Sequence, residues 1–153
     1  MWIALVITHG LLAFLLLGAI THQVVSVWAP VRARAANFVA RYRAVGSANY
    51  ANAVIVLFVA NALLGAVLYT NYRISARLTL EQGRYWKSFG AFEIKEHLIA
   101  IGLALLPAYW YFWRPAALEN TRTRTALTSL LAFIVWWAFL TGHIVNNIRG
   151  IGT

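Results

Sequence analysis

The sequence of 153 residues contains no cysteine, four acidic residues and a single methionine, at position 1. The absence of cysteine excludes disulfides, thiolate metal sites, iron–sulfur clusters and haem attached through a CxxCH motif. A methionine confined to the first position argues against a soft copper(I) site. Any haem in this chain would therefore be held without thioether bonds.

Charged side chains are also scarce, at 11% of the chain, whereas 61% is hydrophobic and the mean hydropathy is +0.68. A soluble domain of this size could not bury so much apolar surface, so the composition predicts lipid as the main solvent. The formal charge is +9, but the arginines stand between apolar runs, where lipid phosphates and membrane topology account for them. Nucleic acid is therefore not expected as a partner.

Four apolar runs predict membrane spans. The N-terminal run has no basic n-region and is too long for a signal-peptide h-region, so we expect a span there too. Short connections between the runs predict one all-α domain over residues 1–153, an integral membrane four-helix bundle of up-down-up-down topology. Pro107 lies inside the third run and is expected to kink it. The predicted spans are about Trp2–Trp28, Ala51–Tyr69, Ala91–Trp113 and Ala126–Ile148.

The connections between the runs are basic. The first, Val31–Tyr50, has a pattern that allows a helix on the membrane surface. The second, Thr70–Gly90, mixes aromatic and basic residues and is expected to lie as a lid among the headgroups. The loops opposite the termini hold seven cations and those on the terminal side six. The positive-inside rule thus places both termini on the outer, periplasmic face of a bacterial inner membrane.

Three histidines are predicted to reach one depth. His9 lies near the start of the first span, His97 near the start of the third, and His143 near the end of the fourth. Because the spans alternate in direction and a helix rises 1.5 Å per residue, all three should lie about 5–10 Å below the face that carries the termini. Glu93 and Glu96 are expected just above them. A single hydrogen-bonded network that ties the helices together is the structural alternative.

Imidazole in its neutral form binds both metal ions and haem iron. Two of the three histidines could hold a haem b between facing helices of a bundle. The non-haem alternative is copper, zinc or iron held by His9, His97 and His143 with Glu93 or Glu96. Haem propionates would reach cations at the same face, and the alternative role of those cations is to anchor lipid headgroups. Those cations are Arg73, Arg77, Arg84, Lys87, Lys95 and Arg149, of which Arg73, Arg77 and Arg149 are the leading candidates.

His22 falls in the opposite half of the membrane, where the sequence has no second histidine. The plan of four spans with histidines inside them resembles small membrane-bound b-type cytochromes, such as the cytochrome b561-like group. That resemblance implies haem b and commonly two haems with paired histidines. The missing partner of His22 argues against the second haem. His22 is expected to make a structural hydrogen bond, to bind a quinone, or to contact another subunit.

These observations predict a haem b electron-transfer protein, or a subunit of an oxidoreductase, that exchanges electrons with a quinone or a partner protein. The first alternative is a non-haem metal protein that uses the same histidines. The second is a structural or accessory subunit of a larger membrane complex, since the chain is small and has no soluble domain. The expected partners are other membrane subunits or further copies of the chain. A transporter is disfavoured, because four helices are few and no inverted repeat is present.

Overall fold

The computed structural model describes residues 1–28, 47–117 and 119–149, and every regular element in those ranges is helical. The all-α prediction is confirmed. Four helices are long, and a short fifth helix and one 3₁₀ turn lie in the connections. The elements are α1 (Trp2–Trp28), α2 (Ser47–Ile74), α3 (Ala76–Gln82), α4 (Trp86–Phe112), the 3₁₀ turn Pro115–Ala117 and α5 (Thr121–Arg149).

Three helices are long and apolar enough to cross a membrane: α1, most of α2 (Tyr50–Ile74) and most of α5 (Thr121–Ile148). By length and composition they indicate a membrane protein. The fourth long helix, α4, has a comparable length but does not join this group. Its first half carries two glutamates, two lysines and a histidine, which lower its hydropathy relative to the other three.

The helices extend beyond the apolar runs that predicted them. α2 continues to Ile74 and α4 already begins at Trp86, so most of the stretch 70–90, expected as a loop, is helical. No glycine or proline interrupts the chain between Thr70 and Gly83, and within α3 Arg77 pairs with Glu81 one turn later at 2.8 Å. The expectation for residues 31–46, including the surface helix, lies outside the described residues.

Each long helix packs against two others. α1 contacts α2 and α5, and α4 contacts the same two helices from the opposite side. Neighbours run in opposite directions: on α1, His22 stacks on Tyr50 near the start of α2, whereas His9 meets Gly65 much later in α2. The core between them is apolar and includes Leu16, Ile20, Val54, Phe58, Leu106, Leu131 and Ile134.

A close approach between α2 and α4 depends on a glycine. A Cβ at Gly102 would collide with the ring of Phe58, which is 1% exposed. Glycine therefore lets the two backbones come together at mid-length, as small residues do in packed membrane helices. Pro107 lies five residues further on, and α4 continues through it to Phe112.

The short helix α3 packs across one end of the long helices. Its Ala76 and Leu80 are buried with Tyr72, Phe92 and Val145 in a second apolar cluster. We call this the α3 end; it contains the start of α1, the end of α2, the start of α4 and the end of α5. The opposite end of the same four helices is called the far end.

Candidate functional site: a polar cavity at the α3 end

A cavity of about 250 Å³ opens among the four long helices at the α3 end. A smaller chamber of about 60 Å³ continues from it towards the middle of the helices. The two share His9, Gly65, Lys95 and Glu96 on their walls. Further polar side chains and aromatic rings line the outer cavity: Tyr69, Asn71, Tyr72, Phe92, Phe139, His143 and Asn146.

His9 lies at the junction of the two spaces. Its ring is beside the backbone carbonyl of Asn61 and rests on α2 at Gly65, where a Cβ would stand 3.2 Å from Cε1. The Nδ1 atom of His9 is buried and has no hydrogen-bond partner among the described residues, and the same holds for Oδ1 of Asn61. Buried polar atoms without partners cost free energy, so both favour an additional ligand or water in the cavity.

His143 lines the outer cavity from α5. The side-chain amide of Asn147, one turn later, lies 3.1 Å from Nε2 of His143 and can donate to it. Because α1 and α5 are neighbours, two of the three predicted histidines, His9 and His143, belong to one cavity. The glutamate predicted with them, Glu96, lines the same space.

His97 lies elsewhere. Its side chain is exposed, as is that of His143, but unlike His143 it is not on the cavity wall. Its Nδ1 is 2.8 Å from the backbone oxygen of Glu93. Successive helical residues are rotated by about 100°, so α4 can turn Glu96 inward and His97 outward. Glu93 is off the wall too, although its Oε1 is buried and makes no hydrogen bond with any described residue.

Lys95 is the cation that enters the cavity. Its side chain is only 14% exposed, its ammonium lies 3.0 Å from the Glu96 carboxylate, and the same ammonium stands 4.0 Å above the Phe92 ring. Sequence reasoning placed Lys95 among six surface cations without distinguishing it. The available signal was Phe92, three residues earlier and therefore on the same helix face.

Two of the three cations favoured from sequence, Arg73 and Arg77, are not on the cavity wall. Arg73 is exposed near the end of α2, and Arg77 bonds to Glu81 and lies 5.0 Å over the ring of Phe89. The hydrogen bond from Arg77 to the Glu81 carboxylate raises the pKa of the guanidinium. The side chain of Arg149 lies outside the described residues.

His22 has a different setting at the far end. It is 1% exposed and stacks on Tyr50 with the ring centroids 4.0 Å apart. The adjacent Gln23 is fully buried and lies beside the hydroxyl of Tyr109. These contacts favour the structural role among those considered for His22.

The cavity wall offers the imidazoles of His9 and His143 and the carboxylate of Glu96 as possible ligands. Protein-bound metals such as zinc generally take three or four protein ligands. Across the parts of the chain that the structure describes, no group of three His, Cys, Asp or Glu side chains is placed to hold a metal. Haem brings four nitrogen ligands of its own, so one or two imidazoles complete its iron. His9 and His143 are the two histidines on the described wall of this cavity.

No protein-family model, characterised protein or solved structure matches the chain. The residues of the cavity are therefore the basis for assigning a function.

Proposed function

We propose that this chain is an electron-transfer protein of the membrane, or a subunit of a membrane oxidoreductase, that binds haem b between His9 and His143. In this proposal the four long helices form an up-down-up-down bundle in a bacterial inner membrane, with both termini on the periplasmic face. Electrons are exchanged with a quinone or a partner protein. The supporting observation is that two histidines from neighbouring helices line one cavity.

The walls of the cavity fit a planar aromatic group. The buried, unpartnered Nδ1 of His9 offers its ring as a ligand. Gly10 and Gly142 lie on the wall, and no side-chain atom stands within 4 Å of where their Cβ atoms would be. Phe92 and Phe139 add apolar surface. Bound haem b would supply reversible one-electron chemistry, while the aromatic walls limit the access of water to it.

The role of each protein group follows from its position. His9 would be held by its contact with Gly65, so its ring could change direction only slightly. His143 is held less firmly, because its partner Asn147 lies on the same helix and can rotate away. The non-haem alternative has weaker support, since His97 and Glu93 are off the wall. The resemblance to small b-type cytochromes stays a prediction, with one haem instead of two.

Absorption spectra of the purified protein, oxidised and reduced, test this proposal. We expect the wild-type protein to show a Soret band and about one extractable haem per chain. The His9→Ala and His143→Ala variants should each lose most of that haem. His97→Ala is the matched control, since it removes the same side chain from the same end of the protein but not from the cavity, and it should keep the spectrum.

Other results would overturn the proposal in distinct ways. A wild-type protein that carries no haem, even after haem is supplied during expression, removes the cofactor and leaves the accessory-subunit alternative. Stoichiometric copper, zinc or iron without porphyrin would transfer the assignment to a non-haem metal protein. Loss of haem from His97→Ala with retention in His143→Ala would show that the ligand pair is wrong.

A further inference from the structure

We infer that Lys95 is the anion anchor of the cavity, so that the ligand bound there carries a carboxylate next to its planar ring. The identity of the ligand rests on the proposed function: for haem b, the carboxylate is a propionate. This assigns the anchoring role to a residue inside the cavity and not to the arginines at the membrane face.

The burial of Lys95 is the first observation. Lysine normally extends its ammonium into water while its aliphatic stem covers apolar surface. Here the side chain is 14% exposed and folds over Phe92 into the cavity. An ammonium withdrawn from water is costly unless anionic or hydrogen-bonding groups surround it. An anionic ligand would reduce that cost.

The second observation is that the partners of Lys95 leave room for an acceptor. An ammonium has three N–H donors, and the described contacts use Glu96 as one acceptor and the Phe92 ring as a second neighbour. The Lys95–Glu96 pair has no net charge, so it does not repel an incoming carboxylate as a lone glutamate would. Asn71 and Asn146 on the same wall provide neutral donors.

The third observation is the placement of the other cations. In the described part of the chain, Lys95 is the one lysine or arginine on the wall of the cavity. Arg77 is already paired with Glu81. Lys87 is exposed in the first turn of α4, eight residues before Lys95. Recognition of a carboxylate inside the cavity therefore depends on a single side chain.

Titration of haem b and of its dimethyl ester into the haem-free, full-length protein in detergent tests the anchor. The ester keeps the ring and the iron but has no carboxylate. We expect the wild-type protein to bind haem b about 10–100-fold more tightly than the ester, as for a charge-assisted hydrogen bond. The Lys95→Met variant should bind haem b and its dimethyl ester with equal affinity. Lys87→Met, the same change on the same helix outside the cavity, should keep the wild-type ratio.

A second variant should change the ratio of the affinities for haem b and its dimethyl ester in the opposite direction. Glu96→Gln removes the competing carboxylate and leaves the ammonium to the ligand, so preference for haem b over the ester should rise about threefold or more. Lys95→Arg keeps the charge and should keep a preference for haem b. Circular dichroism of each variant checks that the helices are retained.

The outcomes separate the two proposals. If neither porphyrin binds to the wild-type protein, the proposed function fails. If both bind with equal affinity, the haem site stands and the anchor is wrong. If the Lys95→Met variant does not fold, the Glu96→Gln variant tests the anchoring role of Lys95. An unchanged ratio of the affinities for haem b and its ester in Glu96→Gln would overturn that role.

Discussion

The two ends of the helical assembly are built from the same four long helices but differ in packing. α1 contributes a histidine to each end. His22, at the far end, is 1% exposed and stacked on Tyr50. His9, at the α3 end, lines a cavity and rests against Gly65 of α2. Two residues of one type, thirteen positions apart on one helix, thus lie in different environments, because only His9 lines the cavity.

The far end also contains hydrogen bonds that connect the helices. Trp113 donates to Thr128, which is fully buried, at 3.2 Å. Trp28 donates to Ser129 at 2.9 Å. These bonds join α5 to the residue after α4 and to the last residue of α1, and they set the helix register there. We infer that the far end supplies much of the stability, which allows the α3 end to keep a cavity.

The largest expected effect is at the centre of the far end. Tyr109 is fully buried, so Tyr109→Ala should lower the free energy of unfolding by about 3–5 kcal/mol, through lost burial and the void left behind. Tyr111→Ala is the control on the same helix, because Tyr111 is 56% exposed. Unfolding in detergent, followed by circular dichroism, measures both. Equal losses would contradict the close packing inferred for the far end.

The second prediction compares the two histidines of α1 directly. In the haem-free protein, His22→Ala should cost about 2–4 kcal/mol, because it removes a ring from a closed, stacked environment. His9→Ala should cost less than about 1 kcal/mol, because its ring already borders a cavity. The free energy of unfolding of both variants is measured by the same unfolding assay in detergent. A larger loss for His9→Ala would mean that the α3 end is not the more loosely packed one.

The third prediction concerns the approach of α2 to α4. Gly102→Ala places a methyl group against the ring of Phe58 and should destabilise the protein by about 1–3 kcal/mol through overpacking. Gly18→Ala is the control, because open space surrounds that position. Adding Phe58→Leu to Gly102→Ala should restore part of the loss in a double-mutant cycle. Additive losses would show that the two positions do not share this contact.

The smallest expected effect on stability is at Gly65. A Cβ there would stand 3.2 Å from His9 Cε1, so the ring must shift by a few tenths of an ångström. We expect Gly65→Ala to change the free energy of unfolding by less than about 1 kcal/mol. If His9 ligates haem, the variant should nevertheless alter the low-spin haem spectrum. Gly90→Ala, at a position with open space, should change neither the free energy of unfolding nor the haem spectrum. An unaltered haem spectrum in Gly65→Ala would count against ligation by His9.

Much of the fold follows from the sequence because apolar length directly predicts long helices. The bounds of α1 agree with the predicted span Trp2–Trp28. The helices in the polar stretch 70–90 were harder to predict, since a helix need not end where its apolar run ends. Whether it ends depends on breakers such as Gly83 and on contacts such as those of Leu80, which is fully buried against other helices. Apolar periodicity does not reveal such contacts.

The sequence predicted the end of the helices at which the candidate site lies, but not the direction in which each side chain points. Counting residues along the spans placed His9 and His143 at the same end, and both line one cavity there. Counting could not determine that His97 faces outward, because the rotation of α4 depends on how Gly102 and Phe92 pack against α2. The inward position of Lys95 depends on the same rotation. The sequence therefore identified the end of the helices at which the cavity lies. The packing of α4 against α2 determines which α4 side chains line it.

The low hydropathy of α4 has a consequence for biosynthesis. A segment that begins with paired charges partitions poorly from the translocon into lipid by itself. When α4 leaves the ribosome, α1 and α2 have already been made, and the residues that contact α4 on α2, such as Phe58 and Tyr72, are available to receive it. Nascent chains that lack α2 should therefore leave α4 on the aqueous side, even though the helix is long enough to span.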